Sequence, residues 1–218
     1  MAASERRQHL DYDLIVDLVG RGSSVLDLGC GDGELLLRLR DFKSVHGLGV
    51  EIEEAMIFRC LARGITVFQG NLNDGLRDHA SGSYDYVVLN QTLQQIDRPL
   101  ELLAEMLRVG RQVIVSFPNF GYLGIRLALL LRGRMPASRD LPYAWHDTPN
   151  IHLCTRSDFL DYCRANRVAV TSVIDIRNGR RIGPVAANLR STQVLFILRG
   201  DAGPAPPNRK EPRDRRRE

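Results

Sequence analysis

The chain has 218 residues, enough for one domain with a sizeable core. Hydrophobic residues make up 44% and charged residues 26%, with a formal net charge of +4, which excludes fibrous, disulfide-stapled and membrane-spanning classes. No apolar run is long enough to cross a bilayer, and the start "MAASERRQHLDYD" lacks the apolar core of a secretory signal, so a cytoplasmic protein with no membrane partner is expected.

In chain order, "HLDYDLIVDLV" (residues 9–19) spaces its apolar side chains as an amphipathic helix. "SVLDLG" predicts a first strand and "ELLLRLRDF" a helix with a leucine face; "VHGLGVEI" is a second strand. "EEAMIFRCLARG" is a helix stopped by Gly64, "ITVFQG" a third strand and "YDYVVLNQ" a fourth. "PLELLAEMLRVG" predicts another helix and "RQVIVSFP" a fifth strand. From residue 24 to 118 strands alternate with helices, the pattern of βαβ units. The expected fold class is therefore α/β, a doubly wound and mostly parallel sheet in a single domain over residues 1–200. Further on, "FGYLGIRLALLLRGRMP" predicts a strongly apolar helix. It suits core packing, a lid or an interface, the last because Arg126, Arg132 and Arg134 rim it. "DFLDYCRANR" reads as helix, and "VAVTSVIDIR" and "TQVLFILRG" as strands able to pair as a hairpin.

The last eighteen residues hold six Lys/Arg, four Asp/Glu and several prolines without apolar periodicity, so residues 201–218 are expected to be a disordered tail. Its acids and its lack of aromatic residues argue for a solvated tail and against a nucleic-acid partner. The four cysteines form no CxxC pair and read as reduced thiols; no metal site is expected.

The chemistry concentrates in "SVLDLGCGDGE", which ends the first strand and opens a helix. An open α/β sheet binds its ligand beyond the carboxyl ends of its strands, where the strand order reverses. Gly29, Gly31 and Gly33 let the backbone turn and approach a ligand, and the helix start offers free N–H groups. The spacing is Asp27-x-Gly29-x-Gly31-x-Gly33, shorter than the dinucleotide fingerprint. Carboxylates at Asp27 and Asp32 would repel a pyrophosphate. They suit a ligand carrying an ammonium group and a ribose, such as S-adenosylmethionine. Glu51, at the end of the second strand, can accept ribose hydroxyls.

"VLDLGCGDG", "GVEIEE" and "YDYVVLNQTLQ" resemble the successive nucleotide-binding motifs of class I S-adenosylmethionine-dependent methyltransferases. "QTLQQIDRPLELLAEMLRVGRQVIVSFPNFG", "LLLRGRMP" and "LPYAWHDTPNIHLCT" narrow the resemblance to the MetW family of methionine biosynthesis, over residues 9–198. The resemblance implies a Rossmann-like seven-stranded-type sheet and binding of S-adenosylmethionine or S-adenosylhomocysteine. The implied contacts are Asp27, Gly29, Cys30, Gly31, Asp32, Gly33, Glu51, Ile52, Asn71, Leu72 and Asn90. It also implies partnership with homoserine O-acyltransferase, the alternative being an active methyltransferase on a small acceptor. Asn71 departs from the family pattern, in which aspartate is usual, and so does "FGYL", where a histidine and a tryptophan are expected at Tyr122 and Leu123. The residues name no strong catalyst. His152, Trp145 and Asn90 are candidates beside the neutral amides Gln91 and Gln94, and His146 with Asp147 forms a further possible base.

Overall fold

The computed structural model describes residues 12–135 and 144–201. It confirms the alternation. After a helix over residues 12–18 (α1) come β1 (Ser24–Leu28), α2 (Glu34–Lys43), β2 (His46–Glu51), α3 (Glu54–Ala62) and β3 (Val67–Gln69). A short 3-10 turn at Leu72–Asp74 leads to β4 (Tyr84–Asn90), then α4 (Pro99–Val109), β5 (Gly110–Pro118) and α5 (Leu123–Arg132). The chain ends with α6 (Arg156–Ala165), β6 (Val170–Arg177), β7 (Arg180–Ile182), α7 (Ala187–Arg190) and β8 (Gln193–Arg199). The beginning of the helix predicted from residue 9 and the predicted tail beyond Asp201 lie outside the described residues.

The sheet has eight strands in the order β3-β2-β1-β4-β5-β8-β6-β7. The first five are mutually parallel, β8 runs antiparallel to both β5 and β6, and β7 is antiparallel to β6. The order reverses between β1 and β4, so their carboxyl ends frame a crevice. Helices cover both faces because successive strand residues point to opposite sides. Val25, Tyr86, Val88 and Ile114 pack with α1, α2 and Cys60 of α3. Leu26, Leu28, Val87, Leu89 and Val115 pack with α4 and α6. On the second face Phe159 lies 4.6 Å from Phe196 and 5.1 Å from Phe117 between ring centroids, anchoring α6 to β5 and β8.

The C-terminal third corrects one expectation. β6 and β8 do pair antiparallel, but they are not a hairpin, because β7 and α7 intervene. The hairpin joins β6 to β7 through Asn178 and Gly179, at φ 51° and 73°. Two left-handed residues make the tight turn that matches strand twist, and asparagine followed by glycine adopts it at least cost. The eighth strand beyond the expected seven is this short β7.

The segment after β5 is fixed by Asn119, which is fully buried. Its amide nitrogen donates to the carbonyls of Asn188 and Ser191 and to the Ser191 hydroxyl, at 2.9–3.0 Å. Its amide oxygen accepts from the N–H groups of Gly121 and Arg156, both at 3.0 Å. One side chain thus ties the end of β5 to the starts of α6 and β8. Arg156 adds a 2.8 Å ion pair with the buried carboxylate of Asp175, and Thr155 and Asp158 form a capping box at the start of α6.

Candidate functional site

The loop from Gly29 to Gly33 sits at the carboxyl end of β1, in the crevice. Its glycines at 29, 31 and 33 have φ of 71°, 55° and 76°, a region closed to most L-residues. At Gly31 an added Cβ would meet no atom within 4 Å, so the loop presents bare backbone to open space there. The end of β2 holds the loop from below, with the N–H groups of Gly29 and Cys30 both donating to the Val50 carbonyl.

Glu51 completes the clamp. One carboxylate oxygen accepts the Gly31 N–H at 2.8 Å; the other accepts the N–H groups of Ile52 and Glu53 at 2.8 and 3.0 Å. A carboxylate has about four acceptor positions. Three hold the backbone here, leaving room for one further donor.

Asp27 is different. The residue is 3% exposed, and its carboxylate takes part in no hydrogen bond with another described residue. Burial, and secondarily the nearby charge of Glu51, push its carboxyl up from 3.8 to about 7. A buried carboxylate with no donor is a place that a cation satisfies.

The other predicted contacts divide by what their side chains do. Asp32 is paired with Arg63 at 3.1 Å and accepts the Glu34 N–H at the start of α2. The Cys30 side chain turns under the loop into the core, its sulfur 4.0 Å from that of Cys60, and burial pushes both thiols up. These are protonated, packed groups, and only the backbone of Cys30 can face a ligand. Ile52, Asn71 and Leu72 line one cavity of about 650 Å³ beside β2 and β3. The Asn71 side chain caps the 3-10 turn by accepting the Asn73 N–H at 3.0 Å.

At the end of β4, Asn90 accepts a hydrogen bond from the Ser116 hydroxyl on β5. Gln91 has φ 57°, a strained value for a residue with a side chain, and its backbone and side-chain nitrogens both bond Ser116. The Gln94 amide donates to the Gln91 carbonyl at 2.7 Å, while its buried oxygen has no partner among the described residues. This rim is a network of neutral amides and a hydroxyl. Neither Ser116 nor the strain at Gln91 was signalled by the sequence. Ser116 sits in an ordinary strand run, and the strain exists only once β4 and β5 are paired.

Of the remaining catalytic candidates the structure joins His152 to this rim, through its backbone. His152 donates its backbone N–H to the Gln94 carbonyl at 3.0 Å, and its exposed side chain lines an apolar cavity of about 640 Å³ between α4 and α6 that Gln94 lines as well. Trp145 is 79% exposed, with the ring of His146 edge-on at 5.4 Å. Among the described residues no cluster of three or more His, Cys, Asp or Glu is placed to hold a metal, and no helix is long and apolar enough to cross a membrane.

A parallel 3-2-1-4-5 sheet extended by antiparallel strands, with a left-handed glycine loop at its switch point, has the fold of class I S-adenosylmethionine-dependent methyltransferases. Three solved structures share it. One, from Mesorhizobium loti, has a TM-score of 0.64 at 17% identity, over 87% of this chain and 97% of that one. One from Thermotoga maritima has a TM-score of 0.62 at 15% identity, over 90% of each. The third is magnesium protoporphyrin IX methyltransferase from Synechocystis with bound S-adenosylhomocysteine, with a TM-score of 0.61 at 16% identity over 89% of this chain and 83% of that one. Within that fold the sequence is specific: the family model described as methionine biosynthesis protein MetW matches residues 9–198, and the chain belongs to that family. A bifunctional methionine biosynthesis protein MetXA/MetW from Rhodopirellula baltica is 39% identical over 187 residues, covering 81% of this chain. The match spans only 30% of that longer relative.

Proposed function

We propose that this protein binds S-adenosylmethionine or S-adenosylhomocysteine at the glycine loop and acts as the partner of homoserine O-acyltransferase in methionine biosynthesis. The observation that carries the first half is Asp27, a buried carboxylate without a donor, one strand-end away from the bare backbone at Gly31. The ligand's ammonium group suits Asp27. One ribose hydroxyl suits the remaining acceptor position of Glu51, so Glu51 serves one hydroxyl and the loop rather than both hydroxyls. The adenine suits the cavity beside Ile52 and Leu72, with Asn71 at its edge. Support for the second half is the relative in which a MetW segment and MetXA share one chain. Domains fused in one protein are held at high effective concentration, which favours an association that separate chains must make by affinity.

The bound sulfonium would supply a transferable methyl group. Methyl transfer needs little from a protein beyond alignment of the acceptor. The strained Gln91 and its amide network therefore favour a second reading, a methyltransferase on a small acceptor needing no strong base.

Acyl transfer to homoserine by the cognate acyltransferase, measured alone, with this protein, and with added S-adenosylmethionine, tests the main reading. A large rise in rate on addition is expected, with calorimetric binding of either metabolite. No rise together with no co-elution overturns the partner role, and no heat of binding with either metabolite overturns the ligand. Methyl release from labelled cofactor, lost in Asp27→Ala and Glu51→Ala, would establish the second reading.

A further inference from the structure

The exposed apolar surface of α5 stands apart from everything the binding loop explains. Leu123, Leu127, Leu130 and Leu131 recur at the spacing of one helix stripe, and each is between 43 and 79% exposed. Leu129 and Met135 are also exposed, and Ile125 is the one buried side chain of the helix. A helix that is apolar on nearly every side is normally buried. Leucine stripes in water mark a surface that another molecule covers.

The chain's own remaining residues do not suit that role. Outside the described segments the large apolar side chains are Met1, Leu10, Leu141 and Tyr143, too few to cover the stripe, and residues 202–218 contain none. A second copy does not suit it either. The stretch from Leu123 to Met135 carries Arg126, Arg132 and Arg134 and no acid. Pairing of α5 with itself would therefore offer no carboxylate from the partner helix to Arg132 or Arg134. Arg132 and Arg134 have no carboxylate partner among the described residues, whereas the Arg126 guanidinium is held by the Gly121 carbonyl at 2.7 Å.

We infer that α5 is the docking helix for homoserine O-acyltransferase, its leucine stripe entering an apolar groove whose rim carries carboxylates facing Arg132 and Arg134. This rests on the partner reading above and assigns that partner a surface. Helix-in-groove recognition uses anchors at this spacing. α5 follows the carboxyl end of β5, which is parallel to β4, so the docked partner lies at the same end of the sheet as the glycine loop.

The test uses the full-length protein and the cognate acyltransferase, with affinity measured by calorimetry and co-elution. Leu127→Asp with Leu131→Asp should weaken binding about 30-fold or more, as expected for removal of central anchors. The control Phe42→Asp, at an exposed position of α2, should leave it unchanged, and S-adenosylmethionine binding by the double variant should match that of the unaltered protein. Arg132→Glu with Arg134→Glu should weaken binding and reduce its salt dependence. Equal binding by the unaltered protein and the leucine variant would overturn the docking helix and leave the partner reading standing. No binding by the unaltered protein would overturn the partner reading and this occupant together. Light scattering showing a dimer of the unaltered protein that the leucine variant dissolves would assign the stripe to a second copy instead.

Discussion

The β1–β2 end of the sheet and the region beyond β5 treat their polar and apolar groups in opposite ways. Around the glycine loop, backbone and carboxylates are committed to one another: Val50 holds two loop amides, and Glu51 holds a third together with the amides of Ile52 and Glu53. Among the described residues the Asp27 carboxylate has no donor. Beyond β5 a single buried amide, Asn119, carries the architecture, and leucines face outward. The first region is built before any ligand arrives, in the manner of sites that lose little on binding. In the second, the helix is finished and its covering is not. The contrast says that stability and ligand affinity reside in separate places and are separable by mutation.

The largest expected effect falls on the second region. Asn119→Ala strands five hydrogen-bonding groups in a fully buried position and should cost about 3 kcal/mol of unfolding free energy. Chemical denaturation measures that loss. Affinity for S-adenosylmethionine, measured where the variant is folded, should change less than about threefold if the two regions are independent. A large loss of affinity would break the comparison.

Glu51→Ala comes next. It frees the Gly31 N–H at the loop and those of Ile52 and Glu53 after β2, and because the position is partly open to water the cost in stability should be near 2 kcal/mol. Affinity for the metabolite should fall at least about tenfold, a change of about 1.4 kcal/mol. Calorimetry on the folded variant separates the two. A variant that loses stability and keeps affinity would show that Glu51 serves the loop alone.

The most diagnostic effect belongs to Asp27. Its carboxyl is raised to about 7, so the unliganded fold favours the protonated form. That contribution to stability is complete below the ordinary carboxylate value and fades as pH rises through about 7. A cationic ligand needs the ionised form, so metabolite affinity should increase over the same interval. Asp27→Asn should flatten both pH profiles. Thermal unfolding midpoints and titration calorimetry between pH 5 and 8.5 would show it, and a pH dependence surviving in Asp27→Asn would assign the titration to another group.

Most of the fold up to Pro118 was legible because the elements are announced locally, by short apolar runs for the strands and by glycines that stop α3 and α4. The loop was legible for the same reason, since left-handed backbone is written as glycine. The functions of individual side chains were less so. Glu51 was expected as a ligand acceptor, yet its first task is to hold Gly31, which follows from register between β1 and β2 rather than from its own neighbours. Asn119 looks like a turn residue in "SFPNFG"; its partners Asn188 and Ser191 lie 69 and 72 positions away. The β6–β7 hairpin is announced by Asn178 and Gly179, but β7 itself is too short to stand out beside the longer strands. His152 and Trp145 drew attention by residue type, but the protein uses the backbone of one and leaves the indole of the other in solvent.

The two outermost strands, β3 and β7, are only three residues long each. An unpaired edge is where foreign chains add themselves by backbone hydrogen bonding, and short, arginine-bearing borders such as Arg180–Ile182 discourage that. β7 pairs with β6 only at residues 175–177 and β3 with β2 only at residues 49–51, so each border strand blunts one end of the longer strand behind it. An associating molecule that avoids these borders meets side chains on helices and loops, where recognition depends on shape and charge rather than on the generic backbone.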